Sequence, residues 1–556
     1  MKSAAGGKAG STNQKTVDNS NTLLVDMSTA IEEFAAPEDL VDELSSSRPE
    51  RPQADATATV RKKRERKPIT PTSLQCTDVA NADRFAARWA GQARYAPLRK
   101  KWFVWDGTRW SDDCLARIME MAKATARGIY LEAGNPAATP GQATALGEWA
   151  KRSMSSGELN SMLALAQSIP GIATHPNEFD RDPYLLNTPA GTVDLRTGKM
   201  RAHNPNDLIR QITKVAPSSA TPTRWLAFLD KIFAGDKAMI NYMHQLLGYS
   251  LLGRVEQHLL IICWGRGQNG KSTLLETVKT LLGDYGYTLP EGALVKTRNL
   301  ASSAPWFAQL YGKRFAIGAE TEREHELSEA FVNSLTGGDT RNAKLLYENN
   351  FEYTPSDTIF ISTNYRPVLS GSADGIWRRL RLVPFNVKIA DDELIPDFGN
   401  ILANEEGGAI LGWLIQGCVE YLASGSKLET PQAVQAATAA YRTESDSVGA
   451  FLAVATVGRV NTSIQSSTLH EMYCEWCEQT GQHMLGRKAF SSELMDRGFK
   501  IEHRRTGSVV LGLALAGGET PAVAGAATAT DEPDDADDAA EFGANCIELP
   551  SRRNVA

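Results

Sequence analysis

Apolar positions along the chain fall into distinct regimes. From residue 1 to 80 and from 516 to 556, small and polar residues dominate and no apolar period persists. Such stretches bury too little surface to offset chain entropy, so both are expected to be disordered. Between them, apolar residues recur at helical spacing over 115–131, 144–169 and 224–252, which predicts amphipathic helices. The segment Lys101–Trp110 (KWFVWDGTRW) predicts two aromatic-rich strands joined at Asp106-Gly107. A second hairpin-like segment, Leu185–Met200, has turns at Pro189-Ala190-Gly191 and Thr197-Gly198. Three short apolar runs, Leu259–Trp264, Phe315–Ala319 and Thr358–Ser362, read as successive strands of an α/β core. The expected fold class is α/β. A mostly helical accessory domain spans 81–223, an α/β core with leading helices spans 224–425, and a small end domain spans 430–515.

Composition narrows the picture. A chain of 556 residues exceeds what one core usually organises. The formal net charge is −7, so any surface for nucleic acid must be local. The basic run Arg61–Lys67 reads either as a phosphate contact or as a solvated linker, and the tail turns acidic over Asp531–Glu541. Seven scattered cysteines fit reduced thiols inside a cell, and the pair Cys474 and Cys477 reads as helix packing. Met1–Gly10 has no apolar signal core and no run approaches the ~20 apolar residues of a membrane span, so no membrane partner is expected. The dense rings Trp89, Tyr95, Trp102, Trp105 and Trp110 read as core in preference to a base-stacking platform.

The chemistry concentrates after the first apolar run. Gly265-Arg266-Gly267-Gln268-Asn269-Gly270-Lys271-Ser272, followed by Thr273, fits G-x-x-x-x-G-K-[ST] between a strand and a helix. Glycines let backbone N–H groups wrap phosphates, Lys271 supplies charge to the β- and γ-phosphates, and the Ser272 hydroxyl suits Mg²⁺. The ligand implied is ATP with Mg²⁺. The second run ends in Glu320-Thr321-Glu322. Glu320 is the choice for the metal-side acid and Glu322 for polarising the attacking water, with the reverse assignment open. The third run leads to Asn364, an amide placed to orient water or sense the γ-phosphate. Within Gly375–Phe385 (GIWRRLRLVPF), Arg378 or Arg379 is a candidate arginine finger; a structural salt bridge is the competing reading.

The motifs GRGQNGKST, RFAIGAETE, LTGGDTRNAKLLYENNFEYTP, ISTNYRP and GIWRRLRLVPF resemble, in content and order, those of phage and plasmid primase–helicases. These are superfamily 3 helicases, relatives of the poxvirus replication helicase. KWFVWDGTRW and LLNTPAGTVDLRTG resemble that family's accessory domain, with Ala190 where an Asn is usual. The resemblance, over roughly 82–515, implies an AAA+ P-loop ATPase core in a homo-hexameric ring around single-stranded DNA at a fork, moving 3′ to 5′. The finger would arrive from a neighbouring subunit. Lys344 matches the family's DNA-gripping position. The end domain resembles a winged helix, with Arg487 and Lys488 on its helix and Arg504 and Arg505 beside a wing turn at Thr506-Gly507. A separate primase, polymerase or origin-binding protein is an expected partner, and a bacterial cytoplasm the expected setting. Many relatives carry a primase domain; the first 80 residues are too short and polar for one, so no primer synthesis is expected of this chain.

Overall fold

The computed structural model describes residues 75–290, 293, 305–318, 326–344, 350–370, 374–505 and 507–516, with backbone alone at 305, 326, 328–331, 344, 350, 370, 374 and 459–461. The runs Arg61–Lys67 and Asp531–Glu541 lie outside the described residues, as does nearly all of the two terminal stretches.

Thr77 caps α1 (Asp78–Trp89) by accepting the Ala80 N–H at 3.1 Å, so helix begins just inside the stretch expected to be disordered through 80. Strands β1 (Ala93–Ala96), β2 (Lys101–Trp105) and β3 (Trp110–Asp112) form an antiparallel sheet in that order. Asp106 closes the β2–β3 turn by accepting the N–H groups of Thr108 and Arg109 at 2.8 and 2.9 Å. The rings pack as core: Trp110 is fully buried, and Tyr95 and Phe85 close on Trp102 at 5.0 and 5.9 Å. After α2 (Arg117–Ala133), the helical run expected over 144–169 is two helices, α3 (Pro140–Ser153) and α4 (Ser156–Ala166). The break falls at Ser155, whose extended backbone lets its hydroxyl accept the Glu158 N–H. A second antiparallel sheet follows, β4 (Leu185–Thr188), β5 (Gly191–Asp194) and β6 (Lys199–Arg201). Gly191 is needed there, since its φ is +154° and a Cβ would run into the Arg201 carbonyl. This sheet docks on the next region: Leu186, Val193 and Leu195 join its main apolar cluster, and Tyr285 Oη accepts the Asn187 N–H at 3.1 Å.

That region opens with α5 (Thr223–Ile232), α6 (Lys237–Tyr249), β7 (Leu260–Trp264), α7 (Lys271–Leu282) and β8 (Gly286–Thr288). It continues through α8 (Pro305–Gln309), β9 (Phe315–Gly318), β10 (Glu326–Ser328), α9 (Glu329–Thr336), β11 (Arg341–Lys344) and β12 (Asn350–Tyr353). It ends with β13 (Thr358–Thr363), β14 (Val368–Ser370), α10 (Asp374–Arg379), β15 (Leu380–Pro384), α11 (Phe398–Glu405) and α12 (Gly407–Ala423). Five strands pair in parallel in the order β15-β7-β13-β9-β8. Alternate side chains divide between two apolar clusters. Ile261, Cys263, Phe360 and Val383 face α5–α7 and α12, whereas Leu260, Ile262, Ile359 and Leu382 face the cluster holding Trp377 and Leu335. Burial on both faces is why these strands are continuous apolar runs.

Helix α13 (Gln432–Ser445), in the stretch expected to form a separate end domain, packs on this sheet instead. Thr438 Oγ1 accepts the Leu382 N–H at 3.1 Å, and the Tyr441 ring meets Trp377 at 5.2 Å. A distinct apolar cluster starts at Val448. It is built from α14 (Ser447–Ala455), β16 (Thr456–Gln465), α15 (Ser466–Thr480), α16 (Arg487–Asp496), β17 (Ile501–Arg504) and β18 (Gly507–Leu515), with sheet order β16-β18-β17. Cys477 is buried in it on α15, and Cys474 lies one turn from His470. Among the described residues no helix is long and apolar enough to cross a membrane.

Candidate functional site

Parallel pairing brings the C-terminal ends of β7, β13 and β9 to one edge of the sheet, where open α/β sheets place their ligands. From β7, the neighbour of the central strand β13, the chain passes through Gly265–Gly270 into the twelve-residue helix α7. The glycines are there for space and angle. Gly267 and Gly270 have φ of +97° and +81°, and a Cβ on Gly270 would lie 2.7 Å from Ile232. The loop is held from outside as well. Gln268 accepts the Ile389 N–H at 2.7 Å through its carbonyl, and its side-chain amide donates to Asp391 at 2.9 Å. The Asn269 amide donates to the Phe385 carbonyl at 3.2 Å.

Lys271, the first residue of α7, is only 4% exposed. Its Nζ donates to Gly265 O at 2.8 Å, to Asn269 Oδ1 at 3.0 Å and to Asn364 Oδ1 at 3.1 Å. Burying an ammonium is costly unless its donors are matched, and here three oxygens match three donors. Asn364 follows β13, whose Thr363 pairs with Trp264, so register alone sets it beside the loop. The structure therefore joins two residues that the sequence places 93 positions apart. Ser272 is exposed on the first turn of α7 and Thr273 is half-buried, while the exposed Arg266 lies at the loop's rim. A glycine-rich loop leading into the positive end of a helix is suited to phosphate. β9 ends at this edge with Gly318, paired to Ile361. Glu320 and Glu322 lie outside the described residues.

Other predicted residues stand elsewhere. Arg378 and Arg379 end α10 and precede Leu380, which pairs with Leu260 at the start of β7. They are thus at the opposite edge of the sheet from the loop, a strand length or roughly 13 Å away at ~3.3 Å per residue. Arg378 is exposed, whereas Arg379 is half-buried and donates from Nη1 to Thr336 Oγ1 at 3.0 Å. Lys344 ends β11, opposite Asn350 of β12, and only its backbone is described. That hairpin is anchored by a buried Arg341–Asp357 ion pair of 2.7 Å and by Tyr353 Oη donating to Phe307 O at 2.8 Å. Burial pushes the Asp357 carboxyl up against the pull of Arg341. Arg487 and Lys488 are exposed at the start of α16, and Arg504 and Arg505 are exposed at the β17–β18 turn. All four belong to the C-terminal cluster and not to the loop edge. No local pattern marks Asp391 or Ile389, which fix the loop from more than a hundred residues away.

The fold is thus mixed α/β, with a parallel sheet that carries the glycine-rich loop and the buried Lys271 at its C-terminal edge. Residues 82–234 match the family described as D5 N terminal like. Over 223 residues the chain is 33% identical to "Putative helicase L207/L206" of Acanthamoeba polyphaga mimivirus, covering 38% of this chain and 23% of that protein. Over 237 residues it is 24% identical to "Putative primase C962R" of African swine fever virus (strain Badajoz 1971 Vero-adapted), covering 41% of this chain and 24% of that protein. The matched part is about a quarter of the length of these curated relatives. Among solved structures, the apo NrS-1 C terminal region is similar with a TM-score of 0.41 and 11% identity, over 79% of this chain and 99% of that one. The family match and the viral relatives relate the chain to the primase–helicases akin to the poxvirus D5 protein.

Proposed function

We propose that this protein is an ATP-driven replicative DNA helicase of the superfamily 3, AAA+ type. The observation that carries the reading is the Lys271–Asn364 contact, which sets the loop's cation and a polar amide from the adjacent strand around one buried point. The arrangement suits a triphosphate whose terminal group meets both. Backbone N–H groups of 265–272 would hold the phosphates, Lys271 would offset their charge, and Asn364 would orient the attacking water. Ser272, exposed beside the cradle, and Glu320 would hold Mg²⁺, which supplies charge neutralisation between phosphate oxygens. Glu322 is proposed to polarise the water.

Assembly follows from where the arginines stand. A guanidinium at the far edge of the sheet cannot serve the loop of its own chain, so a finger from this position must act on a neighbour's site. A ring of such subunits, six in the proposed form, gives every loop a finger. Arg378 is the proposed finger, because it is exposed while Arg379 is engaged with Thr336. Lys344 is proposed to grip single-stranded DNA phosphates. The C-terminal order of helix, strand, two helices and a hairpin suits a winged helix that meets the duplex through Arg487, Lys488, Arg504 and Arg505. The relatives' names, helicase and primase, support a role at a replication fork.

The deciding experiment is strand separation of a forked duplex with ATP and Mg²⁺, run beside Lys271→Ala. Wild type should unwind the fork. The variant should lose ATP turnover by on the order of 100-fold or more, the scale for removing one key charge-stabilising donor. Hydrolysis with no strand separation, at concentrations that form rings, would remove the helicase reading and leave an ATP-dependent switch.

A further inference from the structure

Next to the phosphate cradle lies a second hollow that matches no sequence motif. Its volume is about 280 Å³. Its walls are Phe228 of α5, Ile389, Leu394 and Ile395 of the segment after β15, Phe398 at the start of α11, and Thr273 in the first turn of α7. Leu394 and Ile395 are 42% and 49% exposed, and Phe398 is half-buried. Three large apolar side chains thus open toward one concave space. Their neighbours are charged: Lys231 pairs with Glu393 at 3.0 Å, and the Arg224 guanidinium sits 5.5 Å from the centre of the Phe398 ring.

Both walls are fastened to the loop. On one side Gln268 ties to Ile389 and Asp391. On the other, Phe228 and Ile232 press so close to Gly270 that a Cβ there would lie within 3.0 Å of each. The hollow meets the cradle at Thr273, one residue beyond Lys271-Ser272, whereas Asn364 touches the Lys271 ammonium. A triphosphate with its terminal group at Lys271 and Asn364 would carry its sugar and base toward Thr273. The hollow is a little below the ~300–1,000 Å³ of drug-sized pockets and suits one flat heterocycle.

We propose that this hollow seats the nucleobase of the bound nucleoside triphosphate, with the Phe398 ring as the face on which the base stacks. The assignment rests on the nucleotide-site reading above and adds to it the residues that recognise the base. Arg224, paired with Glu405, and Lys231, paired with Glu393, also line the hollow, where cations favour the sugar–phosphate junction. The Phe398 ring, edge-on to Phe228 at 5.7 Å, is held in place by packing before any ligand arrives.

The test uses the full-length chain and two probes, ATP and inorganic triphosphate, which shares the phosphates and lacks the base. Phe398→Ala should weaken ATP binding roughly ten-fold or more, the scale of one lost base–aromatic stack. Its affinity for inorganic triphosphate should change less than about two-fold, and Phe398→Trp should keep wild-type ATP affinity. Independently of any variant, 8-azido-ATP irradiated on wild type should label the peptide holding 389–398, and excess ATP should abolish the label. Unchanged ATP affinity in Phe398→Ala, equal weakening of both probes, or a label elsewhere in the chain would overturn the assignment. If wild type binds neither probe, the nucleotide-site reading itself fails, a result distinct from loss of the base alone.

Discussion

Lys271 shows how a single charge can be both buried and poised. Its three oxygens, two from its own loop and one from Asn364, fix the ammonium at the mouth of the helix. Asn364 thereby does more than end a strand. Asn364→Ala should leave ATP binding within a few-fold and lower kcat on the order of 100-fold, as expected for an amide that orients the attacking water in the transition state. Steady-state kinetics decide: a raised KM with unchanged kcat would make Asn364 a binding residue only. The loop was legible in the sequence because its glycines, lysine and serine fall within eight consecutive residues at fixed spacing. Asn364 was legible only as a polar residue after an apolar run, since its partner is set by strand register. The choice between Arg378 and Arg379 was not legible, because neighbours in sequence leave a helix end in different directions. Thr336, which separates them, lies more than forty residues earlier.

At the scale of elements, helix α5 illustrates a contact that no local pattern announces. It has no side-chain cap of its own, and Pro222 precedes it. Its first N–H groups, from Arg224 and Trp225, instead donate to the Glu406 carboxylate at 2.9 Å each, and Thr223 Oγ1 adds a third bond at 3.0 Å. A carboxylate from the α11–α12 junction thus caps the helix that walls the proposed base pocket. Burial alone would raise the Glu406 pKa, but these donors and the nearby Arg224 charge outweigh it and hold the carboxyl below the usual range. Glu406→Gln should cost about 0.5–2 kcal/mol, the range for losing an N-cap. The sign with pH follows. A depressed folded-state pKa contributes stability above the unfolded pKa of about 4.3 and loses it as pH falls through the folded value. The stability gap between wild type and variant, read from thermal melts, should be full at neutral pH and close in acid. A gap of equal size at both would mean that the ionised cap is not its source. Apolar spacing did announce α5 itself, along with β7, β9 and β13 of the parallel sheet and the first hairpin, but not β8 or β15. It missed the break at Ser155 and the docking of α13, which depend on a cap and on a long-range hydrogen bond to Leu382.

For the whole molecule, the sheet's direction is the strongest constraint on the proposed ring. β7 and β15 run in parallel, so the glycine-rich loop leaves one edge while Arg378 and Arg379 stand at the other. A finger at that position implies that the working site is shared between two chains, and this can be tested without knowing the ring's size. Lys271→Ala removes the cation from a chain but leaves its Arg378. Arg378→Ala removes the finger but leaves Lys271, and it should not lower the melting temperature, since the side chain is exposed. Each variant alone should be nearly inactive. When the two are mixed, some interfaces will pair the intact loop of one with the intact finger of the other. ATP turnover should then rise several-fold above the sum of the separate variants, with random pairing making about a quarter of the interfaces competent at equal mixing. Mixtures that stay at the sum, under conditions where the chains exchange, would mean that Arg378 does not act across an interface. The same experiment with Arg379→Ala separates the two arginines. That residue bonds Thr336, so its loss should act first on stability, by about 1 kcal/mol, and should not be rescued by a partner's intact copy.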